Sequence, residues 1–317
     1  MSPASSAFGN ITYARQKGPF VRHCPCMPGA VSCGYFNLDL HTGCPYDCSY
    51  CILQAYLPSK HPVFFTNIIA LKREVRSWSE NRRHLRLGTG ELSDSLAWDR
   101  QTGYAGKMLA LLERFPEIVF EFKTKSAAVS GLLAYPRVPL NMVVSWSLNP
   151  EPVIEREERG TPSLARRLVS LAKIQERGYR IGIHFDPLIL FPQWRARYRT
   201  LIRSLGRLLR PDRIAWWSLG ALRFPPSLRD AIFSHRDSRL FWGELVPTAD
   251  GKYRYFRPLR LELFGFIVSE IRRHVSADAP LYLCMEPEEI WREVLPDMPT
   301  NEKDLNRQLY ERVMDKN

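Results

Sequence analysis

The stretch HTGCPYDCSYC, residues 41–51, contains Cys44, Cys48 and Cys51 in a C-x3-C-x2-C spacing. It directly follows a predicted strand, Tyr35–Leu40, and its Gly and Pro residues are typical of a tight loop. Three thiolates at this spacing can bind three irons of one cubane cluster and leave the fourth iron without a protein ligand. A structural zinc site is an alternative, but it requires four protein ligands. We therefore predict a [4Fe–4S] cluster whose open iron binds a cosubstrate.

The composition of the chain places this loop in a basic globular protein. Its 317 residues are 45% hydrophobic and 12% aromatic, enough for a large core. The 45 Lys and Arg residues against 33 Asp and Glu give a formal charge of +12. Such a charge favours polyanions, including nucleic acid, through counterion release, or it is simply a basic soluble surface.

The cysteines indicate a reducing compartment. Six of the seven lie between Cys24 and Cys51, which is unlike a secreted disulfide framework. No run of about 18 apolar residues could span a bilayer, and the start of the chain lacks the pattern of a signal peptide. We expect a cytoplasmic protein whose clustered thiols bind metal.

Short apolar runs alternate with amphipathic segments through most of the chain. The predicted strands are Tyr35–Leu40, His84–Gly88, Val119–Lys123, Met142–Ser147, Arg180–Phe185, Arg213–Leu219 and Leu281–Met285. The predicted helices include Ile68–Asn81, Gly106–Arg114, Ser163–Arg177 and Trp194–Leu209. This alternation predicts an α/β fold of parallel units wound into an open sheet or a barrel, preceded by an irregular extension over residues 1–33. Chemistry in such folds lies at the carboxyl ends of the strands, where polar residues are found here.

The cysteine loop resembles the signature of radical S-adenosylmethionine (radical SAM) enzymes, and Cys51 followed by Ile-Leu-Gln is similar to their spore photoproduct lyase branch. Further similar elements follow in the same order, from about Gly34 to the C-terminus: Thr124-Lys125, Ser147-Leu148-Asn149, Gly178-Tyr179, Pro187, Trp194, Arg223-Phe224 and Gly251-Lys252-Tyr253-x-Tyr255. The resemblance implies a partial (β/α)6 TIM-type barrel over residues 34–317, in which the open iron chelates the amino and carboxylate groups of SAM.

The resemblance also implies an activity. One electron from the cluster cleaves SAM to a 5′-deoxyadenosyl radical, which abstracts hydrogen from the substrate. In the lyase the substrate is a thymine dimer flipped out of DNA, so we expect a lyase-like enzyme of DNA repair or base modification, served by an electron donor such as flavodoxin or ferredoxin. Two alternatives stay open: a radical SAM enzyme that modifies a peptide or small molecule, and a non-catalytic iron–sulfur protein that binds nucleic acid.

Several residues are candidates for the SAM site. Gly88-Thr89-Gly90-Glu91 ends the second predicted strand with small residues that let the backbone approach a ligand, and Glu91 supplies a carboxylate suited to an ammonium group. It resembles the Gly-Gly-Glu element with which radical SAM enzymes hold the methionine amino group. The resemblance adds Ser93 and Asp94, which match a Ser-Asp pair of the lyase. An ordinary β-turn is the alternative for this segment.

Three later strand ends add candidates for the same site. Lys125 and Ser147 are placed to bind the SAM carboxylate and ribose, with solvated loop polarity as the alternative. His184 and Asp186 flank Phe185 and therefore share one face of an extended segment, directed to the mouth of the barrel. A satisfied core histidine is the alternative for His184.

The segment Lys252-Tyr253-Arg254-Tyr255 interleaves cations with aromatic rings, as nucleic-acid surfaces do. Asp250-Gly251 before it predicts the turn of a hairpin near residues 241–257. The resemblance implies that this hairpin enters a duplex beside the lesion, and it adds Arg223 to the nucleic-acid contacts. An exposed strand face is the alternative.

Two departures from the family pattern concern hydrogen transfer. The family has a hydrogen-donating Cys where this chain has Glu91, and a Tyr of the radical relay where it has Ile52. Tyr50, between the last two cluster cysteines, is retained as a candidate catalytic residue together with Glu91 and Asp94. Faithful dimer reversal by the same route is therefore not expected, and another substrate or hydrogen source is implied.

A second group of cysteines precedes the loop. Cys24, Cys26 and Cys33, with His23 nearby, could bind a zinc ion or a second cluster, act as a substrate-directed or hydrogen-donating thiol, or pack inertly. Cys284, at the end of the last predicted strand, is expected to be a small buried residue that could face the mouth of a closed barrel.

Overall fold

The computed structural model describes residues 11–57, 59, 61–234, 238–240 and 244–315; parts of the predicted extension (1–10) and hairpin (241–243) lie outside these. The strands are β1 (Thr12–Ala14), β2 (Val21–His23), β3 (Phe36–Leu38), β4 (His41–Thr42), β5 (Asp47–Cys48), β6 (Val63–Phe65), β7 (Arg86–Thr89), β8 (Val119–Thr124), β9 (Met142–Ser147), β10 (Glu158–Arg159), β11 (Arg180–Leu188), β12 (Ile214–Ala221), β13 (Arg223–Phe224), β14 (Leu245–Pro247), β15 (Tyr253–Tyr255) and β16 (Leu281–Leu283).

The helices connect these strands and cover the sheet. They are α1 (Leu53–Tyr56), α2 (Ile68–Asn81), α3 (Asp99–Thr102), α4 (Tyr104–Leu112), α5 (Ser130–Ala134), α6 (Glu151–Glu157), α7 (Leu164–Arg177), α8 (Trp194–Leu208), α9 (Pro226–Ser234), α10 (Arg257–His274), α11 (Glu288–Val294) and α12 (Glu302–Met314), with a 3₁₀ turn at Pro211–Arg213. In the described part of the chain, no helix combines the length and the apolar composition needed to cross a membrane.

An eight-stranded sheet in the order β2-β3-β7-β8-β9-β11-β12-β16 forms the body of the protein. Strand β2 runs antiparallel to β3, and every other neighbouring pair is parallel. The parallel strands follow one another in chain order, so each helical connection crosses to the next position in the sheet. All seven strands predicted from the sequence lie in this sheet, and the prediction of a partial α/β barrel is confirmed.

Local sequence explains why these elements form. Strand β9 is buried along its whole length, as expected for an apolar strand in the middle of a parallel sheet. Helix α7 begins after Ser163, whose side chain accepts a hydrogen bond from the backbone N–H of Arg166 at 3.5 Å, and ends at Gly178 with φ of 106°. The shared Gly178-Tyr179 element is therefore structural, since Tyr179 is buried and donates to the Leu132 carbonyl at 2.9 Å.

Helix α12 closes the amino ends of the strands. Asn306 on this helix donates to the His84 carbonyl at 2.9 Å and accepts from Arg86 Nε at 2.9 Å, just where β7 begins. Arg86 is fully buried between them. The carboxyl ends, at the opposite side of the sheet, remain available for a site.

The N-terminal extension, predicted as irregular, contains two strands. Strand β1 pairs with β6, and β2 extends the main sheet at its edge. Each strand has three residues, which is too short for alternation to show in the sequence. Beyond β2, the Val31 N–H donates to the Glu286 carbonyl at 3.0 Å and Ala30 forms a β-bridge with Pro287. This contact, which we call the clasp, joins the β2 and β16 sides of the open sheet.

The predicted hairpin is present in the described residues. Strands β14 and β15 are antiparallel, and Gly251 in the turn between them has φ of 73°, a conformation that favours glycine. Strand β13 pairs with the other side of β15, so the hairpin is anchored directly beyond the end of β12.

Candidate active site

A cavity of about 320 Å³ opens at the carboxyl ends of the parallel strands. Ser147 at the end of β9 and His184 on β11 line it, as the position of polar residues after strands predicts. None of the protein's cysteines forms a disulfide, and six of them line this cavity. We call them the loop thiols and the wall thiols: Cys44, Cys48 and Cys51, and Cys24, Cys33 and Cys284.

The loop that carries the loop thiols is held by its neighbours. Its strand β5 pairs with β10, and Ser49 N–H donates to the Glu157 carbonyl at 2.8 Å while its hydroxyl donates to the Glu157 carboxylate at 2.5 Å. The Gln54 side chain donates to the carbonyls of Cys48 and Ser49 at 3.1 and 2.9 Å. The backbone path that separates the three thiols is therefore fixed by protein contacts.

Gly43, directly before the first loop thiol, is fixed by the segment after β7. Its φ is 84°, its N–H donates to the Leu92 carbonyl at 3.0 Å, and its carbonyl accepts from Ser93 Oγ at 2.8 Å and Trp98 Nε1 at 2.9 Å. Ser93 was predicted to bind SAM. The structure gives its hydroxyl a different partner, and it positions the cysteine loop.

Asp94, a predicted catalytic residue, lines the cavity and also has a positioning role. Its carboxylate accepts hydrogen bonds from Thr124 Oγ1 and Lys125 N, both at 2.6 Å, and from the N–H groups of Leu96 and Ala97 at 3.0 and 2.9 Å. Three of these donors reach Oδ1, and Lys125 N reaches Oδ2. Asp94 therefore ties the segment after β7 to the end of β8.

Glu91 lines the cavity beside this segment. Its carboxylate lies 3.3 Å from Arg22 Nη2, and Arg22 also pairs with the buried Asp39. Burial raises the pKa of Glu91, while the neighbouring Arg22 charge opposes that shift. The predicted carboxylate is thus in the cavity, held by a residue of strand β2.

The glycines before Glu91 serve the packing of the protein itself. A Cβ on Gly88 would lie 1.5 Å from the Tyr35 hydroxyl, and one on Gly90, with φ of 109°, would lie 2.8 Å from the Lys123 carbonyl. Tyr35 and the neighbouring strand therefore require glycine at these two positions. Gly90 also lines the cavity, so close approach of its backbone to a ligand stays a prediction.

Lys125 and Tyr50 belong to a buried charged network behind the loop thiols. The Tyr50 hydroxyl donates to Glu158 at 2.5 Å, and Glu158 pairs with Arg167 at 2.6 Å, both of these side chains being fully buried. Lys125 Nζ lies 5.6 Å from the centre of the Tyr50 ring. Burial lowers the pKa of Lys125, but the Glu158 carboxylate outweighs it and the net shift is upward. Burial raises the pKa of Tyr50, so its hydroxyl stays protonated.

His184 is a satisfied core histidine, the alternative weighed for it above, and it also faces the cavity. Its Nε2 lies 2.8 Å from Glu121, which accepts further hydrogen bonds from Tyr35 at 2.5 Å, from Trp216 at 3.1 Å and from Ser145. Burial alone would raise the pKa of Glu121, but His184 and the hydroxyl donors lower it to about 2. The ring of His184 is thereby fixed in one orientation.

Asp186 and Arg223 form a second fixed pair across the cavity. Arg223 Nη1 and Nη2 lie 3.0 and 3.3 Å from the two carboxylate oxygens, a bidentate arrangement. Burial opposes ionisation of Asp186, but Arg223 outweighs it and lowers the pKa of Asp186 to about 2. Arg223 also lies 3.5 Å from Cys284 Sγ, so its guanidinium is already engaged within the protein.

The hairpin contributes two half-buried candidates for nucleic-acid contact. Lys252 lines the cavity. Tyr253 is half-buried, and its ring centre lies 5.7 Å from that of Phe224 and 5.8 Å from the Arg229 guanidinium. Lys252 and the rings of Tyr253 and Phe224 thus lie close to one another where the hairpin meets the cavity.

Arg254 and Tyr255 were predicted to contact nucleic acid, but their side chains are buried. Arg254 pairs with Asp250 at 2.9 Å and with Glu286 at 3.5 Å, and the Tyr255 hydroxyl accepts from the Leu190 N–H at 3.0 Å. The two residues stabilise the base of the hairpin. The predicted direct contact is wrong for both, because both side chains are buried although they point to opposite faces of β15.

The donor set of the loop thiols fits an iron–sulfur cubane. The three thiols come from one fixed loop and border one cavity, and the Lys125 charge lies within electrostatic reach of Cys48. A structural zinc ion needs four protein ligands, whereas three thiolates can bind three irons of a cubane and leave one iron open, so this donor set suits a cluster.

The three cysteines of the predicted second metal site do not all line the cavity. Cys24 and Cys33 line it, but Cys26 does not, and its Sγ lies 4.0 Å from the Val31 carbonyl instead. A zinc ion or second cluster at these three cysteines stays a prediction. Cys284 does face the cavity, as considered for a closed barrel.

Sequence reasoning missed four residues that organise the site: Arg22, Glu121, Glu158 and Arg167. Glu121 carries a signal that could have been used, since it is a single carboxylate between two phenylalanines on a predicted strand. Arg22, which lies two residues before Cys24, and the Glu158–Arg167 pair carry no local pattern that distinguishes them from surface charges.

Comparison with known proteins places this site in a family. The family model for spore photoproduct lyase matches residues 28–219. The spore photoproduct lyase of Clostridium acetobutylicum is 24% identical over 273 residues, which cover 81% of this chain and 78% of that protein. The lyase of Bacillus subtilis is 25% identical over 180 residues, covering 56% of this chain and 52% of that one.

Solved structures agree in fold. Spore photoproduct lyase complexed with dinucleoside spore photoproduct has a TM-score of 0.75 at 22% identity, covering 86% of this chain and 82% of that chain. A variant of the lyase with bound AdoMet and dinucleoside spore photoproduct has a TM-score of 0.71 at 22% identity, covering 86% and 81%. Cys24 and Cys26 precede the residues matched by the family model, and Cys284 and the hairpin follow them.

Proposed function

Since the chain belongs to the spore photoproduct lyase family of radical SAM enzymes, we propose that it binds a [4Fe–4S] cluster and SAM in this cavity and acts on a nucleic-acid base. The observation that carries the proposal is that Cys44, Cys48 and Cys51 line one cavity together with Glu91 and Lys125. When bound, the cluster and SAM supply the hydrogen-abstracting radical chemistry of such enzymes.

The residues of this chain hold the two cofactors in the proposal. The loop thiols each bind one iron and leave one iron for SAM. Glu91, kept in place by Arg22, accepts hydrogen bonds from the methionine ammonium. Lys125, whose pKa is raised, stays cationic and attracts the methionine carboxylate, and Ser147 is available to the ribose.

Other polar residues shape the cavity around the reacting atoms. Glu121 fixes the ring of His184, which forms part of the wall against SAM. Tyr50 keeps its phenolic hydrogen at neutral pH and remains our candidate for a catalytic tyrosine beside the cluster. Ser93 and Asp94 hold the cysteine loop and the end of β8 in register.

A nucleic-acid substrate is supported by the rim and by the relatives. Lys252 and Tyr253 offer a cation and a ring at the mouth, which suit a phosphate and a base. The chain carries a net charge of +12, and a related lyase has been solved with a dinucleoside lesion. We therefore propose a DNA lesion or a modified base as the substrate, delivered to the cavity as a flipped-out nucleotide.

The proposal is tested by anaerobic reconstitution with iron and sulfide, followed by reduction with dithionite and addition of SAM. We expect bound iron and sulfide and the formation of 5′-deoxyadenosine, both of which Cys51→Ala should abolish. Cys26→Ala, outside the cavity, is the matched control. An intact cluster that does not cleave SAM would contradict the proposal that the protein catalyses radical SAM chemistry.

The substrate class is tested separately, with the reduced enzyme, SAM and either ultraviolet-irradiated DNA or dinucleoside spore photoproduct. Conversion of the lesion supports a nucleic-acid base as substrate. SAM cleavage that is not stimulated by either probe, together with binding to DNA that does not depend on salt, would instead favour a peptide or small-molecule substrate.

A further inference from the structure

Cys24 is a thiol in the cavity for which the proposed function has no use. Its N–H donates to the Tyr35 carbonyl at 3.0 Å, so it continues the pairing of β2 with the main sheet. Alternate residues of an extended strand share a face, so Cys24 lies on the same side as Arg22. Arg22 reaches Glu91 at 3.3 Å, and Cys24 and Glu91 both line the cavity within electrostatic reach of each other. Strand β2 therefore brings a thiol beside the proposed SAM-binding carboxylate.

The surroundings of Cys24 keep its hydrogen on sulfur. Burial, with a smaller contribution from the neighbouring Cys33, raises the pKa of Cys24 to about 12. A thiol can donate a hydrogen atom to a carbon radical, whereas a thiolate has none to give. The chemical form present at neutral pH is thus the one that can quench a radical.

Other uses of this thiol fit the structure less well. Cys24 is not disulfide-bonded, and Cys26 does not line the cavity with it. The other two wall thiols differ from it in their contacts. Cys284 Sγ is engaged by Arg223 at 3.5 Å, and only Cys24 shares its strand face with the residue that holds Glu91.

We propose that Cys24 is the catalytic residue that returns a hydrogen atom to the product radical, a role that rests on the proposed function. The S–H bond breaks, a C–H bond forms on the product, and the unpaired electron moves to the Cys24 sulfur. One electron from the low-potential reductant that also serves the cluster, and one proton from solvent, restore the thiol. The hydrogen-donating thiol of Cys24 thus reaches the cavity at the end of the N-terminal strand β2. The position after β7 is occupied by the carboxylate Glu91.

The test compares wild type with Cys24→Ala and the control Cys26→Ala, using dinucleoside spore photoproduct and SAM in D2O. The exchangeable thiol takes up deuterium, so wild-type product should carry one solvent deuterium at the quenched carbon. In Cys24→Ala we expect bound iron and the initial rate of 5′-deoxyadenosine formation to stay within about twofold of wild type, while product falls by about tenfold or more and loses its solvent deuterium. Cys26→Ala should match wild type in every measurement.

A second readout does not depend on turnover. In the reconstituted protein, dinucleoside spore photoproduct should slow the alkylation of Cys24 by iodoacetamide and leave that of Cys26 unchanged, as followed by peptide mass spectrometry. Product of unchanged yield and deuterium content from Cys24→Ala would overturn the proposal, as would losses confined to Cys33→Ala or Cys284→Ala. A wild-type protein that holds a cluster but cleaves no SAM would overturn the proposed function itself, and the role of Cys24 with it.

Discussion

The loop thiols and the wall thiols face the same cavity but are placed there in different ways. Cys44, Cys48 and Cys51 come from one loop whose backbone is held by hydrogen bonds from its immediate surroundings. The wall thiols come from separate segments near β2 and β16, at the two ends of the strand order. They meet because the clasp joins these two sides of the open sheet. A contiguous motif encodes its own geometry, whereas a dispersed set depends on the whole fold. The predictions below probe each set and its supports.

The largest difference concerns the cluster itself. Cys48→Ala should lose most of its bound iron and sulfide and all SAM cleavage, because one of the three irons loses its protein ligand. Cys284→Ala should keep its iron and sulfide. Iron and sulfide analysis after reconstitution checks both variants. Equal losses in the two would contradict the assignment of Cys48, and not Cys284, as a cluster ligand.

The support of the loop thiols should dominate stability. Arg167→Met removes the buried ion-pair partner of Glu158, and we expect a loss of about 3–5 kcal/mol in the free energy of unfolding. Arg137→Met, which breaks an exposed pair with Glu113, should cost much less, because solvent screens an exposed ion pair. Urea unfolding of the cluster-free proteins measures both. Similar losses from the two variants would show that burial of the Arg167 pair adds nothing.

The support of the wall thiols should show in the pH dependence of stability. The pKa of Asp186 is about 2 in the folded protein, against an ordinary value of 3.8. Its contribution, about 2 kcal/mol, is therefore fully present above about pH 4 and is lost as the pH falls towards 2. The stability difference between wild type and Asp186→Asn should shrink over this interval. Thermal unfolding between pH 2 and 7 measures it, and a constant difference would contradict the ion pair with Arg223.

The smallest effect is expected at the rim, near the wall thiols. Lys252→Ala should reduce the slope of log affinity against log salt by about one, because one phosphate contact is lost. Lys303→Ala, on helix α12 at the other end of the strands, should leave the slope unchanged. Titrations of a short ultraviolet-irradiated duplex at several salt concentrations give the slopes. Equal slopes for wild type and Lys252→Ala would remove Lys252 from the interface.

The sequence predicted those parts of the fold whose pattern is local and long. The bounds of β9 and α2 agree with the prediction at both ends. Strand β9 is a buried run of six residues, and α2 is long enough for its helical pattern of apolar residues to repeat. The cysteine loop was readable for the same reason. Strands β1 and β2 were missed, since three residues carry too little alternation.

The site was predictable in its positions more than in its roles. Glu91, Lys125, Ser147 and His184 do line the cavity, because strand ends in a parallel sheet meet at one edge. Arg254 was expected to contact nucleic acid but is buried and paired with Asp250 and Glu286, since a sequence does not show which carboxylates will pair with a cation. Gly88 illustrates the same limit, because its necessity comes from Tyr35, a residue more than fifty positions away.

The clasp between residues 30–31 and 286–287 sets a time order for the maturation of the protein. Its two halves are separated by almost the whole chain, so their contact closes a very long loop and has the high contact order of a late folding step. During synthesis it cannot form until residue 287 has left the ribosome, well after the cysteine loop has been made. The β2 and β16 sides of the open sheet are therefore joined only after the cysteine loop has been made.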